Sequence, residues 1–238
     1  MGASESAQRA LDSQADASSA SVGIDDFELL TRVGEGAFGS VWMGHNKRDG
    51  RKVAIKMQDK QHVLKRGSAR AVIAERDILA AIRHPFIVRL LYAFQNFEHV
   101  FLVLTWVDGG DLFLLMEELR RPFSEPEATF YAAEIALALE HLHANGIVFR
   151  DLKPENVLCG SDGHVMLTDF GLATEGGGAG ASGDGGKVCG TPEFMSPEQL
   201  AANVGDFIHL PKKIDVWAFG MVRVCARVCP LCLCTELC

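Results

Sequence analysis

Short apolar runs separated by glycine and polar residues dominate the chain from Phe27 to about residue 107. Runs of this kind, bounded by turn residues, predict β-strands. One segment at about 68–82 differs, because its apolar residues recur at helical spacing. The pattern therefore predicts one helix among five strands, which we place at 27–33, 40–44, 53–57, 87–94 and 100–107.

Helical spacing dominates the second half of the chain. Ser124-Glu125-Pro126-Glu127 has the form of a capping box with proline in the first turn, so we expect a helix to begin there. The apolar residues behind it fall on one helical face. Strands first and helices later predict an α+β fold with a strand-rich lobe, a helical lobe and a cleft between them.

Composition and pattern divide the chain into four parts. Residues 1–26 carry almost no aliphatic bulk, which predicts a disordered segment. The strand-rich lobe follows at 27–107, and the helical lobe, which we expect to be incomplete, at 108–220. Five of the seven cysteines lie in the last part, a divergent tail at 221–238, but their spacing lacks the paired arrangement of structural zinc sites.

The formal net charge of −8 argues against a protein that binds nucleic-acid phosphates, because such a protein requires a basic surface. No apolar run is long enough to span a bilayer, and no signal-peptide pattern opens the chain. We therefore expect a cytoplasmic protein, with the nucleus as the alternative. Met1 to Ser6 fits the loose N-myristoylation pattern, and we expect membrane contact only if Gly2 is modified.

The first candidate for chemistry is the sequence Gly34-Glu35-Gly36-Ala37-Phe38-Gly39-Ser40-Val41, which lies between two predicted strands. Glycines allow the backbone to approach phosphate oxygens and to bind them through N–H groups. Dinucleotide-binding folds share this glycine pattern, but there a helix follows the loop. Because a strand follows here, the loop indicates a different nucleotide site.

A lysine in an apolar strand is the second candidate. Val53-Ala54-Ile55-Lys56 carries it, and a snorkelling surface lysine would be the simplest explanation of this residue alone. Glu75 changes that interpretation, because it lies on the predicted helix one turn before Leu79 and on the same face. A lysine held by such a glutamate forms a fixed cation for the α- and β-phosphates of ATP.

Two further segments carry the remaining charges: Phe149-Arg150-Asp151-Leu152-Lys153-Pro154-Glu155-Asn156 and Thr168-Asp169-Phe170-Gly171. Phosphoryl transfer depends mainly on positioned charge. On this interpretation Asp151 accepts the proton of the substrate hydroxyl, and Lys153 neutralises charge on the transferred group. Asn156 and Asp169 would hold Mg²⁺. Caps and turns explain any one of these residues, but they do not explain the ordered set.

The ordered set resembles the signature of protein kinases. Asp-Leu-Lys-Pro-Glu-Asn at 151–156 is similar to serine/threonine kinases, and Cys189-Gly190-Thr191-Pro192-Glu193-Phe194 with Ser196-Pro197-Glu198 resembles the AGC group, which includes the cyclic-nucleotide-dependent kinases. The resemblance covers about residues 27–220. It implies transfer of the γ-phosphate of Mg-ATP to a serine or threonine of a protein substrate. It also implies a monomer or a chain regulated by a separate subunit.

The resemblance implies roles for further residues. Thr191 would bridge Asp151 and Lys153, and Asp215 would tie down the loop that carries them. An apolar spine would consist of Leu79, Leu90, Phe149 and Phe170.

The resemblance also implies a nucleotide-binding site. Side chains from both predicted lobes would sandwich adenine, with Leu104 as gatekeeper and Asp111 reaching the ribose. The implied nucleotide-binding residues are Gly34, Gly36, Phe38, Gly39, Val41, Ala54, Lys56, Leu104, Thr105, Val107, Asp111, Leu158 and Thr168.

Three departures from the family pattern bear on activity. Phe149 replaces the histidine of the motif but keeps an aromatic ring. Lys187 stands where the family has its activation-loop phosphothreonine, and it faces Arg150, which would otherwise clasp the phosphate. The family pattern stops after Gly220, and Arg223 would then be buried without a partner at a cost of roughly several kcal/mol.

The sequence leaves three functions open. A serine/threonine protein kinase is the leading interpretation, and Asp111 and Glu155 hint at a basophilic substrate preference. A truncated, catalytically inactive kinase fragment or pseudokinase-like binding module is the alternative, favoured by Lys187 and Arg223. A dinucleotide-dependent enzyme rests on the glycine loop alone.

Overall fold

The computed structural model describes residues 22–36, 39–175, 189–201 and 211–227. The chain divides into two compact units. The first comprises the chain up to residue 81 together with 89–106, and the second comprises 82–88 together with the residues from 107 onward. A sheet in the first unit and helices in the second confirm the predicted α+β fold. Predictions outside the described ranges are those for Gly2, Phe38, Lys187 and the cysteines beyond Arg227.

Five antiparallel strands form the first unit: β1 (Phe27–Gly36), β2 (Gly39–Asn46), β3 (Lys52–Asp59), β4 (Leu90–Gln95) and β5 (His99–Thr105). They lie in the order β1-β2-β3-β5-β4. Val53 and Ile55 of β3 are buried with Phe101 and Val103 of β5, because alternate residues of a strand point to one face. The five predicted strands are confirmed, although the fourth begins at Leu90 and not at residue 87.

Two helices belong to the same unit, α1 (Lys60–Lys65) and α2 (Ala69–Ala81). α2 confirms the helix predicted at 68–82. α1 was not predicted, because six residues are too few for a helical period to emerge. Its start is marked by Asp59, whose carboxylate accepts a hydrogen bond from the His62 N–H at 2.8 Å.

Residues 22–26 are folded, although they belong to the segment 1–26 that was predicted to be disordered. Ile24–Asp26 forms a 3-10 turn, and the side chains of Val22 and Ile24 pack against the core of the sheet. The Asp26 carboxylate accepts from the Gly23 N–H at 2.9 Å and binds Arg48. For residues 22–26 the prediction of disorder is therefore wrong, because two apolar side chains find a core that the composition of the whole segment did not reveal.

The second unit contains four described helices, α3 (Leu112–Leu119), α4 (Glu125–Ala144), α5 (Pro197–Ala201) and α6 (Pro211–Arg227). Its short strands are β6 (Ile147–Val148), β7 (Val157–Cys159), β8 (Val165–Leu167) and β9 (Thr174–Glu175). β7 pairs with β8 and β6 with β9, both antiparallel. None of the described helices has the length and apolarity needed to cross a membrane.

The start of α4 is the predicted capping box. The Ser124 hydroxyl accepts from the Glu127 N–H at 3.4 Å, and the Glu127 carboxylate accepts from the Ser124 N–H at 2.7 Å. Arg121 forms a two-pronged pair with the same carboxylate, which together with the bonds from Ser124 holds the pKa of Glu127 far below its usual range. The helix therefore begins where the sequence predicted.

α6 corrects the expectation that the pattern breaks at Gly220. The helix continues to Arg227, and Val222 and Ala226 occupy its buried face. The prediction that Arg223 is buried without a partner is wrong. Its side chain is 51% exposed and lies 3.3 Å from the Glu125 carboxylate, because the turn of the helix places it one position away from the buried face.

Gly39 generates a prediction about stability. A Cβ at this position would collide with the main-chain carbonyl of Met57 on the neighbouring strand, whereas a Cβ at Gly36 would lie 3.9 Å from the nearest atom. We expect Gly39→Ala to lower the free energy of unfolding by about 2 kcal/mol, since backbone must move to admit the methyl group. Gly36→Ala is the matched control, and urea unfolding curves are the measurement. Equal midpoints for the two variants would contradict the close approach.

Candidate active site

The first unit contributes an ion pair. Lys56 Nζ of β3 lies 2.6 Å from Glu75 Oε1 of α2, and the two side chains are 19% and 2% exposed. β3 directs Lys56 away from the core that Val53 and Ile55 enter, because side chains alternate along a strand. The predicted partnership of this lysine with this glutamate is present in the folded unit.

Several predicted nucleotide-binding residues share the sheet face of Lys56. Val41 of β2 is directly opposite Lys56, and Ala54 is directly opposite Leu104 of β5. Directly opposed residues of an antiparallel pair project to the same face. Val41, Ala54, Lys56 and Leu104 therefore form one surface. Thr105, directly opposite Val53 of β3, donates its N–H to the Arg89 carbonyl at 3.0 Å, so this N–H is already committed.

The second unit holds a trio of polar side chains. Thr191 Oγ1 donates to Asp151 Oδ1 at 2.9 Å and accepts from Lys153 Nζ at 2.8 Å. Lys153 Nζ also lies 3.2 Å from Asp151 Oδ2. The arrangement brings a carboxylate, an alcohol and a cation into mutual contact, as expected for these three residues.

Asn156 extends the trio. Its amide nitrogen donates to the Asp151 carbonyl at 2.7 Å and to Asp151 Oδ2 at 3.0 Å. Both bonds use the nitrogen, so the amide oxygen is not committed to Asp151. The side chain is nearly buried, with the residue 5% exposed, and its orientation is therefore fixed.

The β7–β8 hairpin sets Asn156 beside Asp169. Val157 and Leu167 are paired across the hairpin, and the Thr168 N–H donates to the Asn156 carbonyl at 3.0 Å. The residue following Thr168 is Asp169, which adopts a left-handed backbone with φ of 59°. A non-glycine residue at such a φ stores strain of about 1–3 kcal/mol, which the surrounding structure must offset.

Asp215 of α6 fixes the loop that carries Asp151. The buried carboxylate accepts from the Phe149 N–H at 2.9 Å and from the Arg150 N–H at 2.8 Å, and it contacts His143 Nε2 at 2.8 Å. Arg150 also has a left-handed backbone, with φ of 69°. The Phe149 ring packs edge-on against the Phe170 ring at a centroid distance of 5.1 Å, so the part of the predicted spine within this unit is present.

The remaining predicted positions are less tightly tied to the trio. Asp111 caps α3, accepting from the Leu114 N–H at 2.8 Å, and it pairs through a backbone bridge with Leu158 of β7. A capping role is enough to explain an aspartate there. Val107 and Thr168 are half-buried.

Sequence reasoning missed two contacts. The carboxylate of Glu134 on α4 binds His164 and the Val165 N–H beside the β7–β8 hairpin. His143 joins Asp215 as described above. Both contacts join residues far apart in the chain, and no local pattern marks such partners.

No group of three or more histidine, cysteine or carboxylate side chains disposed to hold a metal ion occurs in the described part of the chain. The set at the hairpin is of another kind, an amide oxygen from Asn156 and a carboxylate from Asp169. Both are ligand types that Mg²⁺ accepts when phosphate oxygens and water complete its octahedron.

Asp215 leads to a second prediction. Asp215→Ala removes the acceptor of two main-chain N–H groups, so we expect it to lower the free energy of unfolding by about 3 kcal/mol. Asp215→Asn retains one acceptor oxygen, and we expect a smaller loss of about 1 kcal/mol. Denaturant unfolding compares the variants, and faster hydrogen exchange at Arg150 localises the effect. An Asp215→Ala protein as stable as the parent would rule out this role.

Comparison with known proteins identifies the family. The family model described as protein kinase domain matches residues 27–231. A RAC family serine/threonine-protein kinase homolog of Dictyostelium discoideum is 42% identical over 199 residues, 84% of this chain and 43% of that protein. Serine/threonine-protein kinase Sgk3 of Rattus norvegicus is 44% identical over 198 residues, 83% of this chain and 38% of that protein. Serine/threonine-protein kinase AtPK1/AtPK6 of Arabidopsis thaliana is 44% identical over 201 residues, 84% of this chain and 41% of that protein.

The chain thus spans about two fifths of the length of these relatives. Members of this family use ATP, typically with Mg²⁺, to phosphorylate proteins. The relatives confirm the serine/threonine, AGC-type resemblance inferred from the motifs. With its charged motifs in family order and a match to the family model over most of its length, this chain belongs to the protein kinase domain family.

Proposed function

We propose that this chain transfers the γ-phosphate of Mg-ATP to a serine or threonine hydroxyl of a protein. The observation that carries the proposal is the contact of Asp151, Thr191 and Lys153 within 3.2 Å of one another. A hydroxyl already occupies the place between the carboxylate and the cation. Thr191 thus shows that one alcohol oxygen can contact the carboxylate and the cation together, and a substrate alcohol would use the same proton acceptor and positive charge.

In this proposal Asp151 orients the substrate hydroxyl and accepts its proton. Lys153 neutralises the negative charge that develops on the transferred group. Thr191 holds the two side chains in register through one donated and one accepted hydrogen bond. Asn156 fixes the Asp151 side chain from its other oxygen, which keeps the proton acceptor in a single orientation.

A bound Mg²⁺ would supply positive charge that neutralises the phosphates of ATP. Asn156 and Asp169 would hold it, and the donor types fit the ion as argued above. Lys56, fixed by Glu75, would bind the α- and β-phosphates. Gly34 and Gly36, at the end of β1, would donate main-chain N–H groups, since glycine has no side chain to keep a phosphate away from the backbone.

The remaining roles are proposed on the family resemblance. Val41, Ala54 and Leu158 would sandwich the adenine ring. Leu104 would be the gatekeeper, and Thr105 and Val107 would offer main-chain groups to the base. Gly39, Phe38 and Thr168 would line the same site, and Asp111 would reach the ribose.

Partners and location are also part of the proposal. Asp111 and the exposed Glu155 place negative charge on the unit that carries Asp151, which supports a preference for substrates with basic residues. We propose a cytoplasmic chain that acts as a monomer or under a separate regulatory subunit. N-myristoylation at Gly2 would give it weak membrane affinity, because one acyl chain anchors only marginally.

Lys56→Met tests the phosphate contact. We expect phosphotransfer to fall at least about a hundredfold with a cooperative thermal melt retained, because the change removes a cation that acts on the phosphates. Lys52→Met, on an exposed position of the same strand, is the matched control. Transfer of ³²P from ATP to a basic peptide is the measurement. Parent-like turnover by Lys56→Met would refute the assignment, and a folded but inactive parent would favour the binding-module alternative.

Asp169→Ala tests the metal contact separately. We expect ATP binding to lose its dependence on Mg²⁺, because the carboxylate that would hold the ion is absent. Titration calorimetry with and without Mg²⁺ measures this, and Asp25→Ala, at an exposed aspartate, serves as the control. Identical metal dependence in Asp169→Ala and the parent would exclude Asp169 as a ligand.

A further inference from the structure

The β7–β8 hairpin, which presents Asn156 and Asp169 at its open end, is held by main chain along both edges. On the β7 edge the Gly109 N–H donates to the Cys159 carbonyl at 2.9 Å, and the Cys159 N–H donates to the Gly110 carbonyl at 2.8 Å. On the β8 edge Leu167 exchanges hydrogen bonds with Phe86 and Val88 at 2.9 and 3.0 Å. These four bonds do not titrate.

The turn end of the hairpin is held differently. Glu134, from the middle of α4, directs a carboxylate with only 7% exposure at the turn. Its Oε1 lies 2.6 Å from His164 Nδ1, and its Oε2 accepts from the buried Val165 N–H at 2.9 Å. One carboxylate thus binds both the last residue of the turn and the first residue of β8.

His164 is the counter-charge of this buried carboxylate. Its ring is 50% exposed and stands near the rings of Phe86 and Phe130, at 6.2 and 5.8 Å between centroids. When the ring is protonated, the bond to Glu134 is an ion pair. When it is neutral, Nδ1–H can still donate, but the negative charge of Glu134 remains buried without compensation, which is unfavourable.

The geometry points to Glu134 and His164 as positioning residues: their ion pair clamps the turn of the β7–β8 hairpin and thereby fixes the Asn156 and Asp169 ends for Mg-ATP. The consequence for Mg-ATP rests on the proposed function, whereas the clamp itself does not. β8 spans three residues, about 10 Å of extended chain, so the clamp acts on the open end through a short, rigid strand. Partners behind direct ligands commonly change metal affinity by about tenfold or more when removed.

The clamp depends on pH in a defined direction. Hydrogen bonding to Glu134, and its negative charge together with that of Asp162, raise the pKa of His164 above its ordinary value. A group whose folded pKa is raised contributes its stability fully below the ordinary value, about 6.5 for histidine, and loses it as pH rises through the folded pKa. The clamp therefore weakens on the alkaline side.

The other titratable groups near the clamp do not weaken it as pH rises. Tyr131 lies on α4 beside Glu134, and its pKa is raised by burial, so it stays neutral. Across Phe86, His84 stacks on His141 at 4.9 Å, and burial with the neighbouring His141 lowers the pKa of His84. A lowered pKa affects the structure when pH falls, so this pair cannot produce weakening at alkaline pH.

Three variants test the clamp. Glu134→Gln keeps an acceptor for the Val165 N–H but removes the charge. His164→Arg supplies a permanent cation. His62→Gln is the matched control, because His62 lies beside an exposed carboxylate, 3.9 Å from Asp59, far along the chain from the hairpin.

Amide hydrogen exchange of the nucleotide-free chain at about pH 6 and about pH 8, corrected for intrinsic rates, reports the clamp directly. In the parent and in His62→Gln we expect less protection of residues 157–167 at the higher pH. Glu134→Gln is expected to show low protection at both pH values, and His164→Arg high protection at both. If Glu134→Gln does not fold, His164→Arg alone decides. Parent-like pH dependence in His164→Arg, or equal protection in Glu134→Gln and the parent, would overturn the clamp.

Calorimetric Mg-ATP binding at the same pH values tests the consequence. We expect an affinity about tenfold weaker in Glu134→Gln and a flattened pH dependence in His164→Arg. Equal affinities across variants whose exchange differs would overturn the positioning role. A parent that binds no Mg-ATP, with the exchange pattern as expected, would refute the proposed function and leave the clamp standing.

Discussion

The buried carboxylate of Asp215 is the interaction on which the arrangement of the second unit depends. It accepts main-chain hydrogen bonds from two successive residues, Phe149 and Arg150, and thereby holds Arg150 in a left-handed backbone that a non-glycine residue rarely adopts. The residue that follows is Asp151. The position of the proposed proton acceptor is therefore set by a carboxylate of α6, far along the chain.

The parts of this protein that could be predicted from sequence are those whose partners are near in the chain or belong to an ordered motif. The capping box at Ser124 joins residues three apart, and it formed as expected. The pairing of Lys56 with Glu75 could be inferred because the two residues occupy the positions of the lysine and glutamate in the protein kinase pattern that the sequence resembles. In both cases residue types in a fixed order along the chain indicate which side chains will be partners.

The parts that could not be predicted depend on tertiary context. Arg223 is exposed because Val222 and Ala226 occupy the buried face of α6, and a one-residue difference in phase decides which side chain faces inward. Glu134 is buried on a helix that otherwise follows a regular pattern, and its partner His164 lies in a turn thirty residues later. α1 is too short for periodicity, so only its cap at Asp59 marks it.

The hydrogen bonds around Asp151 have a consequence for its conformational freedom. Thr191, Lys153 and Asn156 together engage both carboxylate oxygens. Folding has therefore already restricted the rotamers of Asp151, and the side chain has lost its conformational entropy at that stage. Binding of an alcohol therefore requires little further loss of entropy from Asp151. Each alcohol that binds meets the carboxylate in the same orientation.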